Sequence, residues 1–195
     1  MFKVNKGNRK LGSILSINLP AIKTCVSDAP CKKTCYATRG AFKYPNVINC
    51  YDNNLKLIIE DIKQVKIDIL NQVPYNGYLR LHSSGDFYNR EYLEMFVEIA
   101  RLLPNLHIMG YTKKYEMINQ FIKDGNKLPS NFTIIFSLWD KFPCNNPYKL
   151  PTSQVILNNG NNDIIHSGFH CTGRCDKCFH CWNLKEGENV IFKQH

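Results

Sequence analysis

The period of the apolar positions changes several times along this chain. "LGSILSINLP" (11–20) reads as a strand ending at Pro20, and the stretch after it, to Pro45, is loop-like. From Val47 to Leu70 the residues Ile48, Tyr51, Leu55, Ile58, Ile62, Val65 and Ile69 recur at steps of three and four, which predicts one long helix with a single buried face. "GYLRLHSSGDF" (77–87) alternates as far as His82 and then breaks into small polar residues. Asn89 is placed to cap a helix that runs to Pro104. "LHIMGYT" (106–112) reads as a strand, "KKYEMINQFIKDG" (113–125) as a helix and "NFTIIFSLWD" (131–140) as a strand rich in β-branched and aromatic residues.

Strand and helix thus alternate, which predicts βα units with right-handed crossovers. The fold class expected is α/β, as a partial βα barrel or a curled, mostly parallel sheet of about six strands. After Asp140 the alternation stops. "SQVILNNGNNDIIHSG" (153–168) reads as two strands joined by a turn too short for a parallel crossover, so an antiparallel hairpin is expected to close the sheet. The 195 residues fit one domain, with a cysteine loop at 19–46 and a cysteine-rich segment at 166–195.

Composition adds limits. A hydrophobic content of 44% is enough for a substantial core. No window approaches the roughly 20 apolar residues that span a bilayer, so the expectation is a soluble cytoplasmic protein with no membrane partner. The formal charge of +9 is compatible with nucleic acid as a partner, through counterion release. The lysines are dispersed, however, and form no recognition motif, so a solvated basic surface explains the charge better.

The predicted strands end in reactive or polar groups: "HSSGD" (82–86), "YTKK" (111–114), "SLWD" (137–140), "NNGNND" (158–163) and "HSGFH" (166–170). In parallel α/β proteins ligands bind where such ends converge, which points to a small-molecule ligand or a redox partner. His82 is expected to be a hydrogen-bonding structural histidine, and Tyr111 and Trp139 to be stacking surfaces.

Nine cysteines, an odd number, favour ligand roles over disulfides in a reducing compartment. Cys50 and Cys144 stand alone and read as small buried hydrophobes. The other seven form two groups. Cys171, Cys175, Cys178 and Cys181 are spaced C-x3-C-x2-C-x2-C, the reverse order of the run that wraps cubane clusters in bacterial ferredoxins. Structural zinc usually takes two separated knuckles, so zinc is the alternative metal there. Cys25, Cys31 and Cys35 supply three thiolates, which on a four-iron cluster leave one iron open. A fourth ligand from the terminal group, from His170 or from His180, or one site shared by both groups, is the alternative. Two [4Fe-4S] clusters are expected.

"SILSINLPAIKTCVSDAPCKKTCYATRG", "YPNVINCYDNN", "LHSSGDF", "YTKK" and the closing "CDKCFHCW" together resemble the phage-encoded gene product 88 family, over most of the chain. A phage origin implies the host cytoplasm. That family in turn is similar to the radical S-adenosylmethionine enzymes. The resemblance implies a partial barrel with an open-iron cluster at Cys25, Cys31 and Cys35 that binds the amino acid part of S-adenosylmethionine. It also implies that Ser83, Ser84, Gly85 and Asp86 hold this cofactor, with Asp86 accepting hydrogen bonds from its amino group. Asp86, Lys113 and Asp140 would orient the substrate, with Lys113 suited to a carboxylate or phosphate, and the terminal cluster would relay electrons. The spacing differs from the C-x3-C-x2-C loop of those enzymes: the first group is longer, and Thr34 precedes Cys35 where they carry an aromatic residue. The expected function is an iron-sulfur protein, a redox or radical enzyme acting on a small molecule. The alternatives are a non-catalytic iron-sulfur carrier or sensor and a zinc-stabilised nucleic-acid-binding protein.

Overall fold

The computed structural model describes residues 1–156 and 167–193. Its strands are β1 (Leu15–Ile17), β2 (Gly77–Leu81), β3 (Leu106–Thr112), β4 (Phe132–Ser137), β5 (Thr152–Ile156), β6 (Phe169–His170) and β7 (Asn189–Lys193). They form one open sheet in the order β1-β2-β3-β4-β5-β7-β6, and every strand pair is parallel. The helices are α1 (Pro45–Glu60), α2 (Ile62–Leu70), α3 (Arg90–Leu102), α4 (Tyr115–Lys123) and the short α5 (Cys175–Cys178).

The first five strands lie in chain order. If each crossover has the usual right hand, the helices that follow them fall on one face, and α1 to α4 do share one core. Leu79, Leu81, Ile108, Ile134 and Phe136 point to that face and share one core with Ile58, Ile69, Phe96 and Ile118 of the helices. No helix from these crossovers reaches the other face. Met109, Ile135 and Val190 meet Leu11 and Ile14 of the N-terminal segment there, and Cys175, Cys181, Trp182 and Leu184 of the C-terminal segment. Trp182 is fastened to the sheet at both ends: its indole N–H donates to the Leu79 carbonyl at 2.9 Å, and its own carbonyl accepts from Thr133 Oγ1 at 3.0 Å. The cysteine-rich segment is thus a plug over part of the sheet face left bare.

The expected mostly parallel α/β sheet is present, with seven strands and open edges. Two local expectations are corrected. The long helix is broken at Asp61, whose backbone (φ −156°, ψ 86°) leaves the helical region and whose carboxylate caps α2 by accepting from the Gln64 N–H at 3.0 Å. The closing antiparallel hairpin is absent at β5, because parallel β4 and β7 occupy its two sides. The other half of that hairpin, with "NNGNND", lies outside the described residues. Asn89 does cap α3, accepting from the Tyr92 N–H at 2.9 Å. Among the described residues no helix is long and apolar enough to cross a membrane.

Candidate functional site

A cavity of about 480 Å³ lies on the sheet face opposite α1 to α4 and reaches the carboxyl ends of the strands. Cys25, Cys31 and Cys35 line it together with Asp86 and Lys113. The cysteine loop runs through short 3-10 turns at Pro30–Thr34, Tyr36–Thr38 and Gly40–Lys43. It is pinned by the turn after β2. Tyr36 Oη donates to the Ser83 carbonyl at 2.6 Å, and Thr24 Oγ1 accepts from the Asp86 N–H at 3.1 Å. Ser84 ties the ends of β1 and β2 together: its Oγ donates to the Leu19 carbonyl at 2.9 Å and its N–H donates to Asn18 Oδ1 at 3.2 Å. Gly85 sits at φ +80°, and a Cβ there would lie 2.6 Å from Thr24 Oγ1 and 2.8 Å from the Leu19 carbonyl. The small residues of "SSGD" are required by this close approach of two strand ends.

Asp86 is only 5% exposed. Its Oδ1 accepts from Thr112 Oγ1 at 2.6 Å and from the Phe87 N–H at 2.7 Å, and its Oδ2 accepts from the Lys113 N–H at 2.9 Å. Burial raises its pKa against the opposing pull of these donors. About one of its four acceptor positions is left for a ligand. Lys113 Nζ donates to Ser137 Oγ at 2.7 Å and lies 5.5 Å from the Trp139 ring centroid. Burial lowers its pKa, while Cys31 and Asp86 act in the other direction. Burial pushes the Cys25 thiol up to about 11, and the nearby Asp86, Cys35 and Cys31 add to the rise.

Cys171, Cys175, Cys178 and Cys181 line a second, much smaller cavity of about 10 Å³ together with His180. Burial pushes Cys181 up to about 11, opposed by a hydrogen bond that its sulfur accepts from the Tyr111 hydroxyl at 3.0 Å. The two cysteine groups line separate cavities. His170 lines neither cavity. Among the described residues no three His, Cys, Asp or Glu side chains converge closely enough to hold a single metal ion. The first group faces the roomy main cavity, whereas in the second Cys175 and Cys181 are packed among apolar side chains.

Ser83, Ser84, Gly85, Asp86 and Lys113 all line the main cavity, whereas Asp140 does not. His82 departs from its expected role. It is 4% exposed, it has a left-handed backbone (φ 58°), and neither ring nitrogen has a hydrogen-bond partner. Its ring packs edge-on against Phe87 at 4.7 Å, and burial pushes its pKa down to about 3. It is a neutral aromatic filler. Cys50 and Cys144 are half-buried rather than buried. Tyr111 and Trp139 do serve as stacking surfaces, under Arg80 and Lys113 respectively.

Sequence reasoning missed Arg80 and Thr112. Arg80 lies between Leu79 and Leu81, and strand alternation sends it to the face opposite the helices. Its signal was a charged residue in a strand whose neighbours are fully apolar.

No curated protein and no solved structure matches the chain. A family model described as Gene product 88 matches residues 2–156, a span that holds the first cysteine group, the "SSGD" turn and Lys113 and stops before the C-terminal cysteines. On that match the chain belongs to the gene product 88 family.

Proposed function

We propose that this chain is an iron-sulfur protein whose main cavity receives a small molecule beside a cluster held by Cys25, Cys31 and Cys35. The observation that carries this reading is the position of the three cysteines on the wall of one cavity, with Asp86 and Lys113, at the carboxyl ends of the strands. A cubane bound by three thiolates leaves one iron open to bind a small molecule and to pass it an electron. Cys171, Cys175, Cys178 and Cys181 would hold a second, fully ligated cluster.

The chain's own residues supply binding and orientation. Asp86 holds the ends of β2 and β3 together and offers its remaining acceptor position to a cationic group such as an amine. Lys113, steadied by Ser137, faces the same space with a positive charge. A radical-S-adenosylmethionine-like role rests on the resemblance alone, since the spacing of the first cysteine group departs from that of those enzymes. The role of Asp140 in orienting substrate drops out of the proposal, because it stands off the cavity wall.

Elemental analysis of protein purified without oxygen tests the reading. Iron and acid-labile sulfide near about eight each per chain, with a broad visible band, would support two cubanes. Zinc without sulfide would overturn it and favour a zinc-stabilised protein. For iron-loaded protein, equilibrium binding of S-adenosylmethionine is the next measurement.

A further inference from the structure

Arg80 enters the main cavity from the middle of β2. Its Nε donates to the Leu81 carbonyl at 3.1 Å, and its guanidinium carbon lies 4.5 Å from the centroid of the Tyr111 ring. Stacking and that one hydrogen bond fix the plane of the group and leave its terminal nitrogens without a protein acceptor among the described residues. None of the ion pairs among those residues involves Arg80. A half-buried guanidinium without a carboxylate is costly unless something else neutralises it.

Among the described residues the cavity holds no spare acid for that purpose. Asp86 is the single carboxylate among those that line it, and Thr112 with two backbone N–H groups already engages it. The remaining charged lining residues, Lys10, Lys113 and Lys193, are all positive. Leu11, Val26, Phe42, Trp139, Val155 and Phe192 supply apolar walls around them. Two explanations compete: the thiolates that the proposed cluster needs at Cys25, Cys31 and Cys35 lie on the same cavity wall, and Arg80 could serve as counter-ion to Cys175 and Cys181, whose thiols its charge favours as thiolates.

We infer that the cavity takes an organic oxyanion, a carboxylate or phosphate carried on an apolar or aromatic body, with the oxyanion received by the fork of Arg80. The planar donors of a guanidinium match an oxyanion in pairs, and Lys113 adds a point charge to the same space. The inference rests on the reading of the cavity as a small-molecule site and adds the chemical class of the molecule.

The test uses the full chain, purified without oxygen, and two fluorescent probes with the same aromatic body. One is 1-anilinonaphthalene-8-sulfonate, an anion, and the other is N-phenyl-1-naphthylamine, which lacks the sulfonate. The anionic probe should bind at a single saturable site at least about tenfold more tightly than the neutral one, the difference expected of a charge-assisted hydrogen bond. Phenyl phosphate should displace it and benzyl alcohol should not. Arg80→Gln should weaken the anionic probe by a similar factor and leave the neutral probe unchanged, with near-ultraviolet circular dichroism and metal content matching the parent. Equal affinity for the two probes, or displacement by benzyl alcohol as readily as by phenyl phosphate, overturns the oxyanion. An anionic probe that binds Arg80→Gln as tightly as the parent removes Arg80 from ligand binding and leaves it as counter-ion to the C-terminal thiols. Binding of neither probe overturns the small-molecule reading itself.

Discussion

The hydroxyl of Tyr111 donates to the sulfur of Cys181 at 3.0 Å, so a residue on the wall of the main cavity touches the C-terminal cysteine group directly. A donor to a ligand sulfur stabilises the more negative, reduced state of a cluster. In iron-loaded protein Tyr111→Phe should therefore shift one of the two midpoint potentials to a more negative value and leave the iron content unchanged. Spectroelectrochemical titration of the two proteins reads this, and coincident titrations would separate Tyr111 from the redox chemistry.

On the proposal that each cysteine group holds its own cluster, the separation of the two groups makes their metal content separable. Cys31→Ala should lose about four irons, those of the first group, and Cys178→Ala about four from the other. Iron and sulfide analysis of each variant checks this. Loss of all iron from either single substitution would mean one shared site.

The turn that carries Asp86 should be as sensitive as a core position. Gly85→Ala forces a Cβ to within 2.6 Å of Thr24 Oγ1 at a left-handed backbone, and should cost about 2–4 kcal/mol in urea unfolding. Thr112→Val removes one of the donors to buried Asp86 and should cost about 1.5–3 kcal/mol. Variants with unfolding midpoints equal to the parent's would show that this turn does not fasten the strand ends.

His82 gives the fold a sensitivity to acid. Its pKa in the folded chain is about 3, against an ordinary value of 6.5. Above that ordinary value both states are neutral. As pH falls through it the unfolded chain takes up a proton that the folded chain refuses, so stability drops down to about pH 3. The slope from this one group is at most about 1.4 kcal/mol per pH unit. His82→Phe keeps a ring against Phe87, removes two buried nitrogens without partners and should flatten the slope between pH 6.5 and 4.5. Unfolding curves at several pH values measure it, and parallel slopes for parent and variant would place the acid sensitivity elsewhere.

Much of the fold was legible in the sequence because burial on one side leaves a clear trace. The steps of three and four in α1 and α2 and the alternation in β2 show which face meets the core. Asn89 was legible as a cap because its chemistry is local. The break at Asp61 was hidden because Ile58, Ile62 and Val65 keep their spacing across it. The placement of β7 between β5 and β6 is a long-range pairing that no local pattern encodes. In the cavity, Cys25, Cys31, Cys35, Asp86 and Lys113 were found because their residue types announce chemistry. Arg80 went unnoticed because its meaning depends on which face of the sheet lacks helices, and His82 was misjudged because a polar residue at a strand end normally finds a partner.

Strand β7 follows β6 in the chain but lies between β5 and β6 in the sheet. A ribosome therefore delivers both flanking strands before the one that joins them. Until Asn189–Lys193 emerge, β5 presents an unpaired edge and the two-residue β6 has nothing to lie against. An open edge on a growing chain is a template for pairing with other chains. Asn189–Lys193, five residues far along the chain from the cysteine loop, are therefore what closes that edge.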